Sequence, residues 1–125
     1  MNFKIDTKET FYVINLNTPE FTAKLAEELL TEVTKSQLAM TKSLVLNLEK
    51  VTAIEKDAIE ALDSLYEITV AKRKSFVLCC LAANVKESFL NANLLEKINH
   101  TPTESEAWDI VQMEEIEREL DIDFE

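Results

Sequence analysis

The chain has 125 residues, enough for one domain with its own hydrophobic core. Its composition, 46% apolar and 30% charged, is that of a folded globular protein, and a net charge of −11 argues against a phosphate-backbone partner. Glycine is absent, which rules out P-loops and dinucleotide fingerprints and leaves Asn or Asp to serve positions of positive φ.

Phe3–Ile5 and Phe11–Leu16 read as two strands of a hairpin, joined by the polar turn Asp6–Thr10. Thr18-Pro19-Glu20 then reads as a helix start: a hydroxyl cap, proline at the first position and an acid near the positive dipole end. Leu25, Leu29 and Val33, with Ala26 and Leu30, form the core stripe of that helix, and Ser36–Lys42 is its return loop. Leu44–Leu48 is nearly continuous in apolar residues, as a central strand covered on both faces should be. The next helix starts between Ala53 and Asp57. A capping box Thr52-x-x-Glu55 favours the earlier start, and a start nearer Asp57 is the alternative. Ala58, Leu62, Leu65 and Thr69, with Ile59, Tyr66 and Ile68, supply its buried face, and Lys72-Arg73-Lys74 suits its negative end.

Phe76–Leu81 reads as a further central strand. Asn84-x-x-Glu87 resembles the cap of a short helix through Val85 and Phe89, and Asn93 suits a left-handed C-cap. Leu95–Asn99 is a weak last strand. After Pro102, Thr103-x-x-Glu106 is a capping box for an acidic final helix over about 103–121, with Ile110, Met113, Ile116 and Leu120 as its seam and Trp108 and Val111 beside it. The order ββαβαβαβα predicts an α/β fold: a mixed sheet of four to five strands with about four helices, in one domain over 1–125.

Charge is concentrated at one end. Residues 104–125 hold ten acidic residues and one basic residue, Arg118. That stretch reads either as a solvated helix face with a frayed end or as a docking element for a basic partner. Cys79 and Cys80 adjoin within a predicted strand, so they should point to opposite faces and form no redox pair or metal clamp. His100, the single histidine, has no second histidine or cysteine spaced for a zinc site and reads as a loop residue. No metal or cofactor is expected. The longest apolar run, Phe76–Ala83, is too short to span a bilayer, and the N-terminus has no continuous apolar stretch, so no membrane association and a cytoplasmic location are expected.

Three strings carry a family resemblance: Leu46-Asn47-Leu48-Glu49-Lys50-Val51-Thr52, Val85-Lys86-Glu87-Ser88-Phe89 and Asn93-Leu94-Leu95-Glu96-Lys97-Ile98. Together with the element order, over about residues 3–120, they resemble the STAS domain of bacterial anti-sigma factor antagonists. The resemblance implies a protein partner, an anti-sigma factor that is also a serine kinase, and a role in partner switching and transcription regulation. In that family a strand-to-helix turn commonly reads Asp-Ser-Ser/Thr-Gly and its second hydroxyl is phosphorylated. The matching residues are Glu55-Lys56-Asp57-Ala58, so a carboxylate stands at the phosphoacceptor-equivalent position. A second departure is Pro19-Glu20-Phe21-Thr22 in place of Gly-x-hydrophobic-Asp.

The expected partner surface therefore comprises Glu20, Phe21, Thr22, Glu55, Lys56, Asp57, Ala58, Asn84 and Lys86. Phe21 reads as an exposed aromatic anchor or a buried staple. Asp57 reads as a helix-dipole acid contributing a few tenths to about 1 kcal/mol, or as a partial mimic of a phosphate carrying roughly −1.5 to −2. The leading expectation is a non-enzymatic protein-binding module. The alternatives are a structural subunit of a larger signalling assembly, with a homodimer left open, and a receiver-type aspartyl phosphoacceptor at Asp57, which would need Mg²⁺ on further carboxylates. Serine or cysteine hydrolysis is disfavoured because His100 is the one available imidazole.

Overall fold

The computed structural model describes residues 2–36 and 42–124, the side chains of 121–124 excepted. Five strands form the main sheet: β1 (Phe3–Thr7), β2 (Phe11–Leu16), β4 (Ser43–Asn47), β6 (Phe76–Cys79) and β7 (Asn99–Thr101), in the spatial order β1-β2-β4-β6-β7. β1 and β2 are the expected antiparallel hairpin; every other pairing in this sheet is parallel. Two further strands of two residues each, β3 (Glu20–Phe21) and β5 (Ala53–Ile54), pair with one another in parallel. The helices are α1 (Ala23–Lys35), α2 (Lys56–Ala71), α3 (Ala83–Asn91) and α4 (Glu104–Phe124).

The strand order has a consequence for the layers. From β2 to β7 each crossover advances the sheet in the same direction. Because parallel crossovers are right-handed, their helices must fall on one face. α1, α2 and α3 accordingly share one core with Ile14, Leu16, Leu44, Leu46, Leu48, Phe76 and Leu78. The alternate residues Phe11, Val13, Val45, Val77 and Cys79 point the other way, where Ala107 and Val111 of α4 cover them. β4 is paired on both edges and buried on both faces, which explains its nearly unbroken apolar sequence.

Several local expectations shift. α1 does not start at Thr18-Pro19-Glu20: Thr22 is its N-cap, accepting a hydrogen bond from the Leu25 amide (3.2 Å), while Glu20 and Phe21 extend as β3. The Thr52-x-x-Glu55 capping box does not form, because the Thr52 hydroxyl donates to the Pro19 carbonyl (3.1 Å) and α2 starts late, at Lys56. α3 is capped by Ala82 with no side-chain bond, so Asn84 is not its cap. The strand from Phe76 ends at Cys79, not Leu81, and the last strand is Asn99–Thr101 because Leu94–Ile98 coils into a turn closed by Ile98 N–H to Leu94 O (2.8 Å). His100 therefore lies in a strand, not a loop. The part of the expected return loop at 37–41 lies outside the described residues.

Residues other than Asn or Asp also take the left-handed region. Asn93 does so as expected (φ 61°), but Arg73 (φ 60°) and Cys80 (φ 64°) do too. Asn93 closes α3 in a Schellman motif: Leu94 N–H bonds Phe89 O (3.1 Å) and Asn93 N–H bonds Leu90 O (3.0 Å). Arg73 closes α2 the same way, through Lys74 to Thr69 and Arg73 to Val70. A β-carbon in that conformation costs about 1–2 kcal/mol. Replacing Arg73 with glycine should therefore raise unfolding free energy by about 0.5–1 kcal/mol, after the larger unfolded-state entropy of glycine is subtracted. Urea denaturation checks this; a lower midpoint for Arg73→Gly contradicts it.

Candidate functional site

The candidate surface is built where the N-termini of α1, α2 and α3 meet. β3 and β5 pair Glu20 with Ala53 and Phe21 with Ile54. The Pro19 carbonyl accepts from the Thr52 amide (2.8 Å), the Ala53 amide (3.0 Å) and the Thr52 hydroxyl, and the Glu55 amide donates to Phe21 O (3.1 Å). The Asn84 side-chain amide then donates to the Thr52 carbonyl, tying the first turn of α3 to the same segment. A chain of hydrogen bonds thus runs from the entry of α1 through the entry of α2 to that of α3.

Glu55 has the backbone of an N-cap (φ −81°, ψ 152°) but makes no side-chain cap to its own helix. Its Oε1 instead accepts the Ala23 amide at 2.6 Å, at the first position of α1. A charged acceptor on an otherwise orphan helix N–H satisfies the donor and complements the positive dipole end. Thr22 and Glu55 together cap α1, one from each side of the β3–β5 pair. Lys56 and Asp57 follow as exposed residues of the first turn of α2.

The expected site residues separate into two groups. Glu20, Glu55, Lys56, Asp57, Asn84 and Lys86 are exposed at this end of the molecule. Phe21 and Ala58 are fully buried (0% exposure each), and Thr22 is half-buried as a cap. Phe21 is therefore no exposed anchor; it is the core residue that holds β3 down, a burial contributing about 1.5–3 kcal/mol. Sequence reasoning missed the role of Pro19 and Thr52, whose carbonyls act from segments more than thirty residues apart. A groove of about 300 Å³, lined by Ile54, Lys56, Ile59, Ser88, Asn91 and Ala92, runs between α2 and α3 beside these groups.

Cys79 and Cys80 do not face opposite sides of a strand: Cys80 lies past the end of β6 at positive φ, and both pack toward α4. Both are free thiols, and burial, the first cause in each, pushes their pKa up, away from thiolate. Among the described residues no group of three or more His, Cys, Asp or Glu side chains is placed to hold a metal ion. Because the order of the main sheet never reverses, the crevice that binds ligands in doubly wound sheets does not open. Among the described residues no helix is long and apolar enough to cross a membrane.

A family model of the STAS domain matches residues 2–107, and the chain belongs to that family. Among curated proteins none matches significantly. Solved structures similar in fold include a candidate anti-sigma factor antagonist from Thermotoga maritima (17% identity, TM-score 0.75, covering 88% of this chain and 94% of that one). An anti-sigma factor antagonist (STAS) domain protein from Planctomyces limnophilus is similar at 15% identity and TM-score 0.76, over 88% and 97% of the two chains. The anti-sigma factor antagonist SpoIIAA in its unphosphorylated form is similar at 15% identity and TM-score 0.69, over 88% and 97%.

His100 provides a local reporter. Partial burial and the nearby Lys86 ammonium both lower its pKa from the ordinary 6.5. Removing that positive charge favours the imidazolium, so Lys86→Gln should move the His100 titration, followed by NMR, back up toward 6.5. A midpoint that is unchanged in Lys86→Gln, or one above 6.5 in the native chain, contradicts the placement.

Proposed function

We propose that this chain is a non-enzymatic regulatory module that binds a protein partner through the surface formed by the N-termini of α1, α2 and α3. The partner class is an anti-sigma factor of the serine-kinase type, as the STAS family and the anti-sigma factor antagonists of similar fold suggest. The observation that carries the reading is the continuous tie from Pro19 through Thr52 to Asn84, which gathers exposed charged side chains on one rigid edge. Partner contacts are assigned to Glu20, Lys56, Asp57, Asn84 and Lys86. Glu55, Phe21, Thr22 and Ala58 support that edge from beneath, through a cap, a buried ring, a second cap and a close-packed methyl group.

Asp57 takes the phosphoacceptor-equivalent position in this reading, and its carboxylate offers a serine kinase no hydroxyl. SpoIIAA has been solved in both unphosphorylated and phosphorylated forms. A chain with a permanent acid at that position would hold one charge state, with roughly half the charge of a phosphate. The module would then associate constitutively, without a covalent switch at the usual place.

The direct test restores a hydroxyl. With a purified anti-sigma factor kinase and ATP, Asp57→Ser is expected to take up phosphate and then bind the kinase about tenfold more weakly, while the native chain takes up none and keeps its affinity. Phosphate on the native chain by mass spectrometry, or native and Asp57→Ser chains that behave identically with ATP, contradicts the proposal.

A further inference from the structure

The last helix carries two apolar faces, and the sheet uses one of them. Ala107 and Val111 are buried against β2, β4 and β6. On the same side Glu104 accepts from Asn47 (3.1 Å), Glu114 from Asn99 (3.0 Å) and Glu115 from the Ser43 hydroxyl (3.4 Å), and Arg118 donates to the Ser75 hydroxyl (3.1 Å). Positions 104, 107, 111, 114 and 118 thus form the packed seam, with a heptad-like spacing.

At 3.6 residues per turn, Met113, Ile116 and Leu120 project from the opposite side. They are 59%, 58% and 48% exposed, and they are three of the five large apolar side chains exposed among the described residues. Their spacing of three and four is that with which one helix seats on another. Asp109, Glu117 and Glu119 border the stripe and are exposed. The single cation of the helix, Arg118, is turned inward to Ser75, so the outer face presents an apolar line between carboxylates. The stripe also lies beyond residue 107, where the family match ends.

We propose that this outer face of α4 docks a basic amphipathic helix of a partner protein. The partner's apolar side chains cover Met113, Ile116 and Leu120, while its lysines or arginines meet Asp109, Glu117 and Glu119. Charge decides against a second copy of the chain: two such faces would set carboxylates against carboxylates with no cation between them. The inference is independent of the function proposed above. Glu115 and Arg118 lie beside Ser43 and Ser75, at the start of β4 and just before β6, so the stripe sits at the other end of the sheet from the helix N-termini.

The test uses the full chain and a synthetic leucine–lysine peptide of about five helical turns, its leucines spaced as one stripe. Calorimetric titration should show binding to the native chain. Binding should be at least about tenfold weaker to the triple variant Met113→Ser, Ile116→Ser, Leu120→Ser, which keeps every charge, and to the native chain when the peptide sequence is scrambled. Equal affinity of the triple variant, or of the scrambled peptide, overturns the proposal. A native dimer in sedimentation equilibrium that the triple variant abolishes also overturns it, because the occupant would then be a second copy.

Discussion

The carboxylate of Glu55 holds the N-terminus of a helix other than its own. That one charged hydrogen bond to the Ala23 amide joins two helix entries that are thirty-two residues apart in the chain. It acts beside the β3–β5 pair, whose backbone bonds alone would leave two-residue strands marginal in water. The buried ring of Phe21 anchors the pair from below, and Asn84 extends the tie to a third helix. Without that set of contacts, Glu20, Lys56, Asp57 and Asn84 would belong to three separate elements, β3, α2 and α3. With it they share one edge.

Strand order sets where the helix entries gather. A sheet that advances in one direction lays α1, α2 and α3 on one face and opens no crevice between reversing strands. The other face is covered by α4 over a narrow apolar patch, flanked by hydrogen bonds from Asn47, Asn99, Ser43 and Arg118. The two thiols near the strand end are pushed toward the neutral form by burial, and the single imidazole is held toward its neutral form by burial and Lys86.

Much of the fold was legible because its signals are local. The unbroken apolar run of β4, the 3.6-residue stripe Leu25–Leu29–Val33 and the left-handed Asn93 each reflect forces acting within a few residues. The misreadings have a common origin in long-range pairing. Thr18-Pro19-Glu20 has sound helix-start chemistry, yet the carbonyl of Pro19 bonds with Thr52 and Ala53, and the chain stays extended until Thr22. Thr52 fails as a cap for the same reason. In α4 the strongest apolar periodicity, Met113–Ile116–Leu120, faces outward, because the sheet side accepts small residues and hydrogen-bonded carboxylates that leave a weak pattern. Asp57 was placed correctly as an exposed acid of a helix first turn, whereas no sequence signal marked Glu55 as the cap of α1.

Amide hydrogen exchange in Glu55→Ala tests whether Glu55 holds the entry of α1. The Ala23 amide should exchange roughly fivefold faster than in the native chain, as expected when a cap contributing about 1 kcal/mol is removed, with protection also reduced at the Thr52, Ala53 and Glu55 amides of the β3–β5 tie. If Ala23 exchanges at its native rate and the change is confined to the first turn of α2, Glu55 caps only its own helix, and the shared edge is not held together as described.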